Sequence, residues 1–166
     1  MNRCVLQKIQ ESDYKKVMEL YIDPNVRKYL GGPRKEETIR EAFDSLLNQD
    51  ESGWYWAVRE QGSGEFIGMV SLDAHHDGEG HEVSFQFFPQ WWGAGYATES
   101  VKEILHYGFH ELKLPRIMAE TQMANKPSRK LLERLGMKLI KTCDRFGAKQ
   151  GIYFIDQGEW KANDVT

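Results

Sequence analysis

Between Glu82 and Glu99 the chain reads Glu-Val-Ser-Phe-Gln-Phe-Phe-Pro-Gln-Trp-Trp-Gly-Ala-Gly-Tyr-Ala-Thr-Glu. The pattern is an apolar strand stopped by Pro89, a turn carrying Gly93 and Gly95, and the opening of an amphipathic helix. Three small residues, Gly93, Ala94 and Gly95, bare the backbone where that helix starts, so N–H groups with no intrahelical acceptor face outward at its positive end. Such a junction accepts an anion, phosphate above all. The nucleotide-triphosphate loop must end in Gly-Lys-Ser/Thr, and Tyr96 and Ala97 follow Gly95, which excludes it. The dinucleotide pattern matches at Gly93 and Gly95 but meets Thr98 in its third place, with one strand-helix-strand unit around it, and is a weak rival.

The rest of the chain arranges itself around this junction. Arg3 to Ile9 reads as a strand, and Ser12 offers an N-cap for a helix bearing Tyr14, Val17, Met18 and Tyr21 at helical spacing. Pro24 restarts the chain, Val26, Tyr29 and Leu30 form one apolar side, and Gly31-Gly32-Pro33 breaks it. A further helix runs from about Lys35 to Gln49 on Ile39, Ala42, Phe43, Leu46 and Leu47. Trp54 to Glu60 and Phe66 to Ala74 are strands joined at Gly62-Ser63-Gly64, and a second turn at Asp77-Gly78-Glu79-Gly80 leads to the central strand. After the glycine turn, Ala97, Val101, Ile104, Leu105, Gly108 and Leu112 share one face of a helix roughly 18 residues long. Pro115 to Thr121 is a strand, so strand, helix and strand make a right-handed crossover with parallel strands. Asn125 and Pro127 open another helix closed by Gly136, and Met137–Thr142 with Gly151–Ile155 form a closing hairpin.

A chain of 166 residues, 40% of them hydrophobic, suffices for one full core and is read as a single domain over 1–166. No run of about 18 apolar residues and no cleavable leader pattern occurs, so a soluble protein of the cytoplasm with no membrane association is expected. The net charge of -3 argues against general nucleic-acid binding and suits a cationic substrate. Cys4 and Cys143 form no C-x-x-C pair and read as core thiols, and His75, His76 and His81 around a hairpin turn match no ligand spacing and read as a solvated turn, so no metal is expected. Trp54 and Trp56 alternate onto one strand face as core or cleft wall.

Gln90-x-x-Gly93-x-Gly95, followed by Asn125-x-x-Ser128 and Leu135-Gly136-Met137, resembles the acyl-CoA loop and the segment beyond it in the GNAT acetyltransferase superfamily. The resemblance covers nearly the whole chain and implies an α/β (α+β) fold: a mixed, mostly antiparallel sheet with a splayed parallel central strand pair, flanked by helices. It implies acetyl-CoA as co-substrate, with the backbone of Phe87 and Phe88 pairing with the pantetheine arm. Gln90 and the amides of Gly93, Ala94, Gly95, Tyr96 and Ala97 would surround the pyrophosphate. Asn125 would hold the cofactor by its side-chain amide, or only cap its helix, and Arg129 would meet a terminal phosphate. The early helical segment with its glycine break corresponds to the part that covers the acceptor, or simply caps the sheet.

Acyl transfer to an amine needs a neutral amine and help for the leaving thiolate. By the same resemblance Glu82 takes the amine proton and Ser128 donates to sulfur, serine standing where many members of the superfamily have tyrosine. This serine is similar to that of the ribosomal-protein N-terminal acetyltransferase branch. Ser128 as a first-turn hydrogen-bonding residue and Glu82 as a solvated or ion-paired carboxylate are the plain alternatives. An α-amine with pKa near 8 needs about 1.4 kcal/mol to be neutral at pH 7, a free lysine side chain about 4.6, so a single base suits an α-amine or a pre-tuned small amine. The expected activity is acetyl transfer in a ternary complex to a protein N-terminus, polyamine, amino acid or antibiotic. The alternative is a catalytically silent CoA-binding module, and a homo-oligomer is left open.

Overall fold

The computed structural model describes residues 2–48, 53–75 and 80–164, with side chains through Trp160. Strand β1 (Cys4–Lys8) leads through a short 3-10 turn to helix α1 (Tyr14–Ile22), and α2 (Glu36–Leu47) follows. Then come β2 (Gly53–Glu60), β3 (Phe66–Ala74), β4 (His81–Phe87) and α3 (Tyr96–His110). The chain continues as β5 (Arg116–Gln122), α4 (Lys126–Arg134), β6 (Lys138–Arg145), β7 (Ala148–Asp156) and α5 (Gln157–Asp164). One seven-stranded sheet has the order β1-β2-β3-β4-β5-β7-β6, and every neighbouring pair is antiparallel except β4 with β5.

Period-two alternation sorts each strand between two cores. Val58, Val70, Leu72, Val83, Ile117 and Tyr153 pack beneath α3 with Val101, Ile104, Leu105 and Phe109. Ala57, Met69 and Phe66 on the other face meet α1 and α2 through Val17, Leu20, Ile39 and Phe43, all four fully buried. Trp56 lies in the first of these cores, edge-on to Tyr107 at 5.4 Å. Cys4 is buried there too, its thiol pushed up to about 11 chiefly by burial, and both cysteines are free.

Three expectations are corrected and one helix is new. Ser12 caps nothing: the Asp13 carboxylate accepts the Gln10 N–H at 3.0 Å and also pairs with Arg59, which ties the start of α1 to β2. Leu30 does not share the burial of Val26; it stands 43% exposed in a string of turns. Helix α3 is 15 residues long rather than about 18, because the chain leaves it at Glu111 for a turn at Lys113, where φ is 56°. Helix α5 was not anticipated; Trp160 buries it against Phe109 at 6.1 Å, and Gln157 Nε2 donates to the Phe109 carbonyl. Gln49, His76 and the turn residues 77–79 lie outside the described residues. Among the described residues no helix is long and apolar enough to cross a membrane.

Candidate active site

The parallel strands β4 and β5 pair at only two positions, His81 with Ile117 and Glu82 with Met118, and their edges part beyond them. The β3–β4 ladder is complete from Gly68–Phe87 to Ala74–His81, and Phe88 N–H extends it by donating to the Ile67 carbonyl at 3.0 Å. Alternation of antiparallel bonds therefore turns the peptide groups of Val83, Phe85 and Phe87 toward the gap. The Phe87 carbonyl there accepts the Trp92 indole N–H at 2.8 Å. The Phe88 N–H is taken up by β3 and its carbonyl accepts the Trp91 N–H at 2.9 Å, so its peptide edge is engaged within the fold.

At the far end of β4 the glycine turn is built for an anion. Gly93 and Gly95 stand at φ 78° and 86°, a left-handed region that side chains rarely take. Gly95 immediately precedes α3, and no side chain caps that helix end, so the N–H groups of Tyr96 and Ala97 lack intrahelical acceptors. Gln90, Gly93, Ala94 and Gly95 are exposed, and no atom lies within 4 Å of where a Cβ on Gly93 would sit. Glu99 in the first turn accepts the N–H groups of Arg3 and Cys4 at 2.7 and 2.9 Å, which brings the Arg3 guanidinium over the Tyr96 ring at 4.4 Å. A diphosphate fits this set of donors; Arg3 is already paired with Glu99 at 3.4 Å, so the charge that a neutral ligand would leave unmatched is that of the helix end itself.

Glu82 occupies the last paired position before the gap and faces Asp73 across the β3–β4 register. Its Oε2 accepts the Glu120 N–H at 3.3 Å. Burial pushes the Glu82 carboxyl up to about 7; His75 opposes this shift and the carboxylates of Asp73 and Glu120 add to it. Glu120 is itself held, with His75 Nε2 at 2.8 Å and Arg145 Nε and Nη2 at 3.1 and 3.0 Å. Burial also raises the Asp73 carboxyl, to which Tyr55 Oη donates at 3.1 Å. These groups underlie a cleft of 310 Å³ bordered by Glu82, Glu120, Tyr29, Leu30, Gly31 and Phe146. The glycine break after α1 thus borders the cleft through Gly31.

Sequence reading singled out Glu82 in this cluster and missed Asp73, Glu120, Arg145 and Phe146. The hairpin spacing of His75 suggests a solvated turn rather than metal; His75 is instead buried and pairs with Glu120, while His81 tilts against Trp54 at 6.0 Å. The one sequence signal for Asp73 and Glu120 is a carboxylate in an otherwise apolar strand, a pattern that strand ends also produce.

Across the gap, α4 begins at Asn125, whose Oδ1 accepts the Ser128 N–H at 3.3 Å. The cap uses the side-chain oxygen and leaves its NH2 group for other partners. The Ser128 hydroxyl is half-buried and hydrogen-bonds to no described residue. The Arg129 Nε donates to Tyr153 Oη at 3.0 Å and its Nη1 to the Met123 carbonyl at 3.2 Å, so its guanidinium ties α4 to β7 and to the turn after β5.

The family description "Acetyltransferase (GNAT) domain" matches residues 3–138. An uncharacterised N-acetyltransferase of Bacillus subtilis is 28% identical over 164 residues, covering 95% of this chain and 96% of its own. A GNAT-family acetyltransferase of Bacillus anthracis superimposes with a TM-score of 0.83 at 27% identity, over 95% of this chain and 96% of its own. A spermidine N-acetyltransferase of Vibrio cholerae, crystallised with CoA and spermine, shares the fold at TM-score 0.82 and 18% identity, over 96% of this chain and 98% of its own. The glycine turn, the parted parallel strands and these matches converge: the chain belongs to the GNAT acetyltransferases and is an acyl-CoA-dependent N-acetyltransferase with acetyl-CoA as co-substrate.

Proposed function

We propose that the chain acts as a single domain in the cytoplasm and acetylates a primary amine bound in the cleft above Glu82, either a protein N-terminal α-amine or a small amine, by direct attack in a ternary complex. Acetyl-CoA supplies the activated acyl group. The amides of Gly93, Ala94, Gly95, Tyr96 and Ala97 hold its pyrophosphate with Gln90 beside them, the gap-facing edge of Phe87 meets its arm, and Asn125 contributes its side-chain NH2. Glu82 takes one proton from the acceptor ammonium, directly or through a water. The freed nitrogen bonds to the acyl carbon as the C–S bond breaks and Ser128 protonates the departing sulfur; the nitrogen sheds its second proton through solvent, which restores the Ser128 hydroxyl, and Glu82 returns its own proton to solvent. Serine at this place also supports a position in the ribosomal-protein N-terminal acetyltransferase branch.

The observation that carries the reading is the Glu82 carboxyl at the mouth of the strand gap, pushed to about 7 by burial and so poised to exchange a proton near neutrality. Its deprotonated form is the active one, so kcat/KM rises with pH through about 7 in the wild type. Glu82→Gln flattens that limb and lowers kcat/KM on the order of 10²–10⁴-fold, while acetyl-CoA affinity holds. An unchanged pH profile in Glu82→Gln, read by CoA thiol release, removes Glu82 from the role of base.

A further inference from the structure

The hairpin between β6 and β7 turns in two residues: Arg145 pairs with Ala148, and Phe146 and Gly147 alone lie between them. Both stand at positive φ, 56° and 74°, the arrangement for which tight hairpins favour Asn-Gly. Gly147 adopts it freely, whereas a bulky side chain there is an outlier that surrounding structure must impose. The strained Phe146 is 71% exposed and borders the acceptor cleft together with Tyr29 and Leu30. Arg145, the residue before it, grips the buried Glu120 carboxylate through two nitrogens, so the turn carrying the ring is fastened to the acidic cluster beneath the cleft.

We propose that Phe146 is the specificity-determining lip of the acceptor site, and that the acceptor is a primary amine with an apolar group on or next to its amine-bearing carbon, such as an α-amine of an apolar residue. The inference rests on the reading that this cleft takes the amine. Glu120 is already matched by Arg145 and His75, so Glu82 is the one carboxylate of the lining left for an ammonium; Thr121, Gln122 and Gln150 complete the lining with neutral groups and offer no counter-charge to a second. A cleft of 310 Å³ is at the small end of ligand sites, suited to one side chain beside one amine. A linear polyamine meets both limits badly.

Amino-acid amides test this, because they vary the side chain and hold the α-amine nearly constant. With acetyl-CoA saturating, kcat/KM for phenylalaninamide and leucinamide is expected on the order of tenfold above that for serinamide and putrescine. Phe146→Asn suits the turn, so its thermal midpoint stays level or rises while the tenfold preference disappears. Measurable but equal rates across the wild-type series, or a preference that survives in Phe146→Asn, overturns the lip. Calorimetry of phenylalaninamide against serinamide on the CoA-loaded Glu82→Gln protein reads the lip without turnover. Selective binding there, with no amide acetylated by the wild type, sinks the transfer reading and leaves the lip standing; unselective binding overturns the lip.

Discussion

The glycine turn before α3 and the acidic cleft beside β4, proposed above to serve one reaction, are made in different ways. The turn works through backbone: Gly93 and Gly95 at positive φ expose peptide N–H groups, and six consecutive residues from Gln90 contain the motif. The cleft works through side chains from separate places in the chain, Asp73 on β3, Glu82 on β4, Glu120 on β5, Arg145 on β6 and His75 after β3. Each region carries an unfavourable element that folding alone would discard. In the turn it is conformational; in the cleft it is a desolvated carboxyl. This difference gives the two regions separate experimental signatures, because pH reaches one and not the other.

The largest expected effect lies in the cleft. Glu82 binds its proton more tightly folded, about 7, than unfolded, near 4.5, so between those values the native state holds more protons and stability falls as pH rises. At pH 8 the charged carboxylate lowers stability by up to about 3 kcal/mol, and below about pH 4 by nothing. Glu82→Gln, which keeps an oxygen for the Glu120 N–H, should therefore unfold at higher denaturant than the wild type at pH 8 and at the same denaturant at pH 4. An equal gain at both pH values would mean that the cleft does not store its unfavourable energy as buried charge.

The same contrast explains what the sequence discloses. A backbone site is written in contiguous small residues, so the strand, turn and helix from Glu82 to Glu99 were legible, as were the crossover, the Asn125 cap and the parallel pair. Side-chain clusters are assembled by topology, and Glu120 meets His75 only because β5 returns beside β4. The helix position of Arg129 is visible in sequence, whereas its Tyr153 partner, 24 residues on, is not. The Phe146 turn was invisible for another reason: phenylalanine carries no turn signal, and the hairpin was expected to open eight residues wide between Thr142 and Gly151.

A smaller effect probes the turn. Gly95→Ala forces a Cβ into a left-handed backbone and to within 2.9 Å of Arg3 Nη2, whereas Gly93→Ala meets open space and only the backbone penalty. That penalty is about 1–2 kcal/mol for an L-residue. Calorimetry with acetyl-CoA should show both variants weaker, Gly95→Ala more than Gly93→Ala, with the loss independent of pH between 6 and 8. Equal losses would show that the Arg3 side chain yields at no cost; a pH-dependent loss would dissolve the separation of the two regions.

The smallest effects come from α4, where the two kinds of site meet. Asn125 contributes to the backbone through its cap, and Asn125→Ala should lower unfolding stability by about 1 kcal/mol, read as a shift in denaturant midpoint. Ser128→Ala removes a hydroxyl that bonds to no described residue, so stability should move by less than about 0.5 kcal/mol. Its effect belongs in kcat, a loss of less than about tenfold since water reaches a half-buried position, with acetyl-CoA affinity unchanged. A stability loss at Ser128 equal to that at Asn125, with kcat intact, would return Ser128 to an ordinary first-turn residue and leave the sulfur to be protonated by solvent.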